Sequence, residues 1–205
     1  MGNWGSSAHE RTELPSSDAS HHASLITHHS SPSWRIVRYR EIGSTNDLAK
    51  EAPVWTVVLA ERQCRGRGRS GREWYSPPGG LWLSAAIPPP PPAQGIVARR
   101  VAECLSAATG LPIRYEPPND LVLLGKKLGG VLVEGVYQGG RPVKAVIGVG
   151  VNVNNPARGL PEPVRETAIS LIEVLGELQD LEQVRAAVLS GIAGATKEGK
   201  CRPSR

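Results

Sequence analysis

A long β-hairpin is the feature of this sequence that most limits its possible folds. The segments Val131–Tyr137 and Val143–Val151 are rich in β-branched residues, and the turn Gln138-Gly139-Gly140-Arg141 separates them. Two such segments joined by a short turn with glycine are typical of neighbouring antiparallel strands. The chain is therefore expected to form a sheet that contains this hairpin.

Further strands and helices are predicted on both sides of the hairpin. Five apolar segments predict strands, at Trp34–Tyr39, Val54–Ala60, Leu81–Ile87, Pro112–Tyr115 and Leu121–Leu124. Helical spacing of apolar residues predicts helices after Ser44, at 96–109, after Pro163 through Leu175, and at 181–192. Ser44 is placed as the N-cap of the first helix, with Asp47 three residues later. Helices between strands predict an α/β (α+β) fold, a mixed β-sheet flanked by helices.

Composition divides the chain into three parts. Residues 1–33 hold all five histidines and lack apolar periodicity, which predicts a disordered N-terminal extension, although a His-rich tract can also bind metal. Residues 34–192 carry the predicted strands and helices and are expected to form one domain. Residues 193–205 are small and polar and are predicted to be a frayed C-terminal tail. The predicted domain has no histidine, which excludes a Ser-His-Asp triad from it.

The overall composition narrows the class of protein. Hydrophobic residues make up 40% of the chain and charged residues 21%, which is typical of a soluble globular protein. No apolar run approaches the roughly 18 residues of a membrane span, so no membrane association is expected. Three widely spaced cysteines and no visible secretory signal predict a reducing, cytoplasmic location. The net charge of +5 suits an anionic ligand, either a nucleotide or a nucleic acid.

The sharpest functional signal is the segment Gln63-Cys64-Arg65-Gly66-Arg67-Gly68-Arg69-Ser70-Gly71-Arg72-Glu73-Trp74. Its glycines let backbone amides approach an anion, and its arginines donate to phosphate or carboxylate. No Gly-Lys-Ser/Thr follows, so the segment is not a Walker loop, and the many arginines are untypical of a Rossmann fingerprint. Two interpretations stay open: a loop that orders over a nucleotide, or an arginine- and glycine-rich segment that binds nucleic acid.

Two later segments also carry candidate ligand groups. Pro118-Asn119-Asp120 precedes Lys127-Leu128-Gly129-Gly130, where the Lys127 ammonium can face a ligand across small residues, while Lys126 is interpreted as a solvated charge. Gly148-Val149-Gly150-Val151-Asn152 predicts a strand whose glycines allow a ligand to approach closely. Asn152 either bonds that ligand or only ends the strand.

Together these motifs resemble the catalytic domain of the biotin protein ligases, the biotin–[acetyl-CoA-carboxylase] ligase family, from about Trp34 to about Ile192. The resemblance rests on Gly43-Ser44-Thr45-Asn46 and on the three segments quoted above, which occur in the family's order. It implies the fold of a biotin/lipoate protein ligase catalytic domain. Because only about a dozen residues follow Ile192, it also implies that the family's usual C-terminal small β-barrel is missing.

The resemblance implies a function and a set of site residues. The implied reaction is ATP-dependent activation of biotin to biotinyl-5′-AMP, followed by transfer to a lysine of a biotin carboxyl carrier protein of acetyl-CoA carboxylase or a related carboxylase. Biotin-binding residues implied in this way are Ser44, Thr45, Asn46, Gln63, Gly66, Arg67, Lys127, Gly130 and Gly150. ATP- or adenylate-binding residues are Arg67, Arg69, Trp74, Asn119, Asp120, Lys127 and Asn152. The catalytic groups are Lys127, Arg67 and Arg69, with Asp120 as a ligand of Mg²⁺.

The sequence also departs from the family pattern. Glu116 and Pro117 precede Pro118 where the family usually has Lys and Trp, so the carboxylate either weakens an anionic ligand or faces solvent. Together with the missing barrel, this leaves the alternative of a truncated relative that binds biotin or its adenylate with weak or no transfer. DNA binding is not expected because no helix-turn-helix precedes Trp34, and a homodimer is possible because several members form one.

Overall fold

The computed structural model describes residues 33–198. Seven strands form one sheet in the order β1-β2-β3-β7-β6-β5-β4. They are β1 (Arg35–Ile42), β2 (Thr56–Gln63), β3 (Leu81–Ile87), β4 (Arg114–Glu116), β5 (Asp120–Leu123), β6 (Lys126–Gln138) and β7 (Arg141–Val151). β1 and β2 are parallel and all other neighbours are antiparallel. This confirms the predicted mixed sheet, and β6 and β7 are the predicted hairpin.

Helices cover the sheet on two sides. They are α1 (Thr45–Glu51), α2 (Gln94–Thr109), α3 (Val164–Thr167), α4 (Leu171–Leu175) and α5 (Leu181–Glu198). The main core contains buried residues of α2, α5 and the sheet, whereas Ala49 of α1 packs with Val58 and Val146 in a separate small cluster. None of the helices in residues 33–198 is long and apolar enough to cross a bilayer.

The alternation of side chains along β7 separates these two sides. Ala145, Ile147 and Val149 belong to the main core. The residues between them face the α1 side, where a Cβ atom added at Gly148 would overlap the Asn46 amide, and one added at Gly150 would lie 2.6 Å from Trp74 Nε1. One face of β7 therefore packs its side chains into the main core. On the other face, the two glycines let α1 and Trp74 approach the strand closely.

The chain after Pro163 differs from the single helical pattern predicted there. Two short helices, α3 and α4, are separated by an extended stretch in which Ile169 N donates to Lys127 O at 3.0 Å and Ala168 forms a parallel bridge with Lys127. Ser170 then begins α4 with a capping box to Glu173. Pairing with the start of β6 outweighs helical propensity here, and local periodicity contains no signal for it.

The C-terminal boundary predicted at Ile192 needs correction. Helix α5 continues to Glu198, so residues 193–198 are helical rather than part of a frayed tail. Ala195 is fully buried in the main core, and its contact there explains why the helix continues. The predicted extension 1–33, apart from residue 33, and residues 199–205 lie outside the described part of the chain.

Candidate active site

A cavity of about 230 Å³ is bounded by α1, β6, β7 and residues 63–75, which we call the arginine loop. All the predicted site residues line it except Gly66 and Asp120. Those that line it are Ser44, Thr45, Asn46, Gln63, Arg67, Arg69, Trp74, Asn119, Lys127, Gly130, Gly150 and Asn152. Residues more than 100 positions apart in sequence thus meet at one site.

One end of the cavity is a fixed set of hydrogen-bonding groups. Gln63 Oε1 accepts from the Thr45 backbone N at 2.8 Å and lies 3.0 Å from Thr45 Oγ1, while Gln63 Nε2 donates to Ser76 Oγ at 2.8 Å. Ser44, Thr45 and Asn46 are all at most 5% exposed. Buried polar groups held in this way offer their remaining donors and acceptors in a set direction.

Asn46 is held from two sides. Its Nδ2 donates to Glu134 Oε2 at 2.6 Å, and its Oδ1 contacts the Ser84 hydroxyl. Ser84 is fully buried and its Oγ also lies 2.7 Å from Thr45 Oγ1. Neither Ser84 nor Glu134 was predicted as a site residue, although a glutamate inside the apolar strand β6 is a detectable signal.

The arginine loop closes on itself like a small hairpin. Arg67 and Glu73 form an antiparallel bridge, Gly68 N donates to Arg72 O at 2.7 Å, and Trp74 N donates to Gly66 O at 3.0 Å. Its tip turns through positive φ at Ser70 and Gly71, at 57° and 72°. The loop therefore has a defined shape in which several of its side chains face the cavity.

Gly66 has a different place from the predicted contact with biotin. It lies outside the cavity lining, at the base of the arginine loop, where an added Cβ would overlap Trp74 O and lie 2.8 Å from Ser76 Oγ. The requirement for glycine at this position is therefore the close packing of two backbone segments.

Arg67 joins the loop to α1. Its guanidinium donates to both carboxylate oxygens of Asp47, at 2.8 and 2.6 Å, and its Nη2 lies 3.6 Å from Glu134 Oε2. The hydrogen bonds from Arg67 hold the pKa of Asp47 below its ordinary value, against the opposing effect of partial burial. Asp47, predicted as the capping-box partner of Ser44, thus accepts hydrogen bonds from Arg67 of the arginine loop with both of its carboxylate oxygens.

Trp74 forms a wall of the cavity. Its ring packs edge-on against Trp82, with the centroids 6.3 Å apart, and the Lys127 ammonium lies 5.5 Å from its ring centroid. Its buried Nε1, which lies over Gly150, has no hydrogen-bond partner within residues 33–198. A buried N–H that lacks an acceptor in the protein is a ready donor for a ligand.

Asp120, predicted to hold Mg²⁺, forms an ion pair with Lys127. Lys127 Nζ lies 2.7 Å from Asp120 Oδ1, and Asp120 is outside the cavity lining. In residues 33–198 no group of three or more His, Cys, Asp or Glu side chains is arranged to hold a metal. The donor set thus fits a magnesium ion only where a ligand supplies most of the oxygens, as phosphates commonly do.

Asn119 and Asn152 line the cavity, and their side-chain amides also form hydrogen bonds to neighbouring segments of the chain. Asn119 Nδ2 donates to Val131 O at 3.2 Å. Asn152 Nδ2 donates to Ile169 O at 3.1 Å, and Asn152 Oδ1 accepts from Asn155 Nδ2 at 3.0 Å. Asn152 directly follows β7 and lines the cavity, and its bond to a ligand stays a prediction.

The segment after β7 supplies cavity walls that the sequence analysis missed: Leu160, Val164, Thr167 and Ala168. No sequence motif marks these residues. The pairing of Ala168 with Lys127, which is distant in sequence, brings this segment to the cavity. Glu116, by contrast, is exposed and lies outside the cavity lining. The structure therefore favours the solvent-facing alternative for that carboxylate.

Comparisons with known proteins identify the family of this chain. Residues 40–152 match the model of the "Biotin/lipoate A/B protein ligase family". The chain is 35% identical over 163 residues to the bifunctional ligase/repressor BirA of Bacillus spizizenii, covering 74% of this chain and 49% of that protein. It is 32% identical over 137 residues to the biotin–[acetyl-CoA-carboxylase] ligase of Paracoccus denitrificans, covering 62% and 56%. The chain thus spans about half the length of the curated relatives it matches.

A solved structure shares the fold of this chain. The biotin protein ligase from Aquifex aeolicus in complex with biotin and ATP superposes with a TM-score of 0.72 at 32% identity, covering 82% of this chain and 72% of that one. The family model spans more than half of the present chain and includes the arginine loop and the glycines of β7. The chain belongs to the biotin/lipoate A/B protein ligase family, and its described residues have the fold of a biotin protein ligase catalytic domain.

Proposed function

We propose that this protein is an ATP-dependent biotin protein ligase that forms biotinyl-5′-AMP and transfers biotin to a lysine of a biotin carboxyl carrier protein. The observation that carries the proposal is the set of groups that line one cavity. The lining of this cavity contains the hydrogen-bonding groups of Thr45, Asn46 and Gln63, several apolar side chains and a group of cationic residues. Biotin has parts that match these groups: a polar ring, an aliphatic chain and a carboxylate.

The cationic part of the cavity suits the activation step. Arg67, Arg69, Arg72 and Lys127 line it, against a single carboxylate, Glu73. In this step the biotin carboxylate attacks the α-phosphorus of ATP, a new C–O–P linkage forms, and the bond to pyrophosphate breaks. Because two anions must approach each other, fixed cations and alignment supply most of the catalysis. Lys127 and the two arginines Arg67 and Arg69 are the residues proposed for this role.

ATP is proposed to bind beside the biotin carboxylate, against Trp74, Asn119 and Asn152. The Trp74 N–H supports this placement because it needs an acceptor and finds none among residues 33–198. Magnesium is proposed to enter with the phosphates, which provide most of its ligands, and Asp120 can add one carboxylate oxygen. When bound, the ion would neutralise charge on the leaving pyrophosphate.

In the transfer step, the neutral amine of a carrier lysine attacks the carbonyl carbon of the adenylate, an amide bond forms, and AMP leaves. The proposed carrier belongs to acetyl-CoA carboxylase or a related carboxylase. The arginine loop would keep water from the anhydride while the carrier docks. The free thiols of Cys64 and Cys104 agree with a cytoplasmic location, which is also a proposal.

A homodimer is proposed through the edge of β6 beyond Val133. β5 pairs with β6 up to Gly130, and Val131 N and Val133 N donate to Asn119 O and Gln94 Oε1, whereas β6 continues to Gln138. Tyr137 is 58% exposed on this stretch. An open strand edge with an exposed aromatic side chain is a common site for adding a strand from a second copy.

The test of the proposed function is biotin-dependent exchange of labelled pyrophosphate into ATP with Mg²⁺, because it needs no carrier. We expect exchange that depends on biotin. Biotin binding in calorimetry without exchange would instead identify a relative that binds biotin and does not activate it. RNA binding that weakens steeply with salt and ignores biotin would favour the nucleic-acid interpretation of the arginine loop.

A further inference from the structure

Glu134 lies behind the cavity wall rather than in it. Its side chain is 26% exposed and it is not among the lining residues. Its carboxylate accepts from Asn46 Nδ2 at 2.6 Å and from Lys50 Nζ at 2.8 Å, and lies 3.6 Å from Arg67 Nη2. One carboxylate thus touches a residue of the polar end, a residue of the arginine loop and a lysine of α1.

The partner of Asn46 decides which way its amide points. An amide can exchange its oxygen and nitrogen by turning over, and Ser84 tolerates both orientations because a hydroxyl both donates and accepts. An ionised carboxylate only accepts, so it admits only the orientation with Nδ2 toward Glu134. Asn46 and Gly148 both line the cavity, whereas Glu134 does not. With Nδ2 turned to Glu134, the oxygen, which lies over Gly148 and also contacts Ser84, is the polar atom of Asn46 that is left to face the cavity.

The surroundings of Glu134 keep it ionised. Burial raises the pKa of its carboxyl, but hydrogen bonds from Lys50 and Asn46 and the charges of Lys50 and Arg67 outweigh burial, so the net pKa is lowered. The acceptor-only character of the group is therefore maintained at neutral pH.

We propose that Glu134 is a positioning residue that fixes the Asn46 amide with its oxygen toward the cavity, so that the site selects a ligand ring with an N–H donor there. This inference rests on the proposed function, in which that ring is the cyclic urea of biotin. It assigns to β6 a determinant of ligand selectivity that does not itself touch the ligand.

The test uses the two cyclic carbamate analogues of biotin, in which one ring N–H is replaced by an oxygen atom of similar size. The selectivity ratio is the dissociation constant of the analogue divided by that of biotin. The parent protein is expected to bind one of these isomers at least about tenfold more weakly than biotin, since an acceptor would face an acceptor. Glu134→Gln has the same shape but also donates, so the Asn46 amide can turn over. In that variant the ratio is expected to fall about tenfold toward one.

Two variants separate orientation from charge. Glu134→Asp remains acceptor-only and is expected to keep the selectivity ratio, whatever happens to the absolute affinity. Lys50→Met removes the other main partner of Glu134 without touching Asn46, and is expected to keep the ratio as well. Should E134Q prove unfolded by circular dichroism, E134D and K50M still test the proposal, because a collapsed ratio in either one contradicts it.

The outcomes are distinguishable from failure of the proposed function. An unchanged ratio in folded E134Q, or an equal fall in E134Q and K50M, would overturn the positioning role while biotin binding stands. Failure of the parent chain to bind biotin would overturn the proposed function, and this inference with it.

Discussion

Arg67 and Asp47 form a two-pronged ion pair that ties the arginine loop to the first turn of α1. Both guanidinium Nη atoms donate, at 2.8 and 2.6 Å, one to each carboxylate oxygen. Arg67 is thus already ordered beside the cavity, and a ligand anion competes with Asp47 for its donors. The Asp47 side chain is 58% exposed, so the pair is expected to contribute only about 0.5 kcal/mol to overall stability.

Substitution Asp47→Asn is predicted to loosen the loop without unfolding the protein. An amide offers one acceptor oxygen and no charge, so the guanidinium loses its fork-shaped partner. We expect trypsin to cleave within residues 65–72 several-fold faster than in the parent, and ligand addition to restore protection. Glu41→Gln, which removes an exposed partner 4.0 Å from Arg62, is the matched control. Equal cleavage rates in parent and D47N would contradict the anchoring role.

Substitution Gly148→Ala is predicted to damage ligand binding more than folding. The new methyl group would overlap the Asn46 amide and displace it from Glu134. Such overpacking costs about 1–3 kcal/mol, which corresponds to biotin binding weakened by roughly 5- to 150-fold if the displaced amide carries the cost. Calorimetry with biotin checks this, with Gly194→Ala in open space on α5 as the control. Parent-like affinity in G148A would rule out close contact as the reason for this glycine.

Substitution Trp74→Phe is predicted to change stability and ligand affinity in opposite directions. It removes a buried N–H that has no acceptor in residues 33–198, so the unfolding free energy should stay level or rise slightly. If that N–H donates to the nucleotide, the KM for ATP in pyrophosphate exchange should rise about 5- to 30-fold. In contrast, Trp82 Nε1 donates to Pro77 O at 2.9 Å, so Trp82→Phe should lower stability. A destabilised W74F with normal KM would argue against this assignment.

Substitution Lys127→Ala is predicted to abolish activation while largely preserving biotin binding. The ammonium lies between Asp120 and the Trp74 ring, at the cationic part of the cavity. Loss of one preorganised charge typically costs about 100-fold or more in rate. Pyrophosphate exchange and calorimetry measure the two effects separately, and Lys126→Ala, exposed and outside the cavity lining, is the control. Exchange at the parental rate in K127A would remove this residue from the proposed mechanism.

Stability is predicted to fall in acid rather than near neutrality. The pKa of Glu134 lies below its ordinary 4.5 because its hydrogen bonds and neighbouring cations outweigh burial, and that of Asp47 lies below 3.8 chiefly through Arg67. A lowered pKa stabilises the folded state above the unfolded value, and this contribution is lost as pH falls through the folded value. The described residues contain no histidine, so little change is expected between about pH 6 and 8.

Urea unfolding at a series of pH values measures this effect. Glu134→Gln should show a shallower loss of unfolding free energy below about pH 4.5 than the parent does. Glu177→Gln, a substitution of an exposed carboxylate before α5, should leave the slope as in the parent. Equal acid slopes in E134Q and the parent would show that Glu134 contributes little to the acid transition.

The sequence by itself determined the elements whose signals are local. β3 begins at Leu81 and ends at Ile87, as its mostly apolar sequence predicts, and the hairpin turn lies at Gln138–Arg141. The arginine loop and the glycines of β7 were also detectable. Binding an anion, or letting a ligand approach the backbone closely, restricts which residue types can be used. Most of the predicted site residues line one cavity for the same reason.

Tertiary structure alone decided which of these residues meet. Asn46 and Glu134 are 88 positions apart, and no periodicity in the sequence pairs this amide with this carboxylate. The register of β6 and β7 under α1 brings them together. The break between α3 and α4 and the extension of α5 to Glu198 likewise depend on distant partners, Lys127 and the main core. Contacts between distant segments are selected by global packing, which a local sequence pattern does not encode.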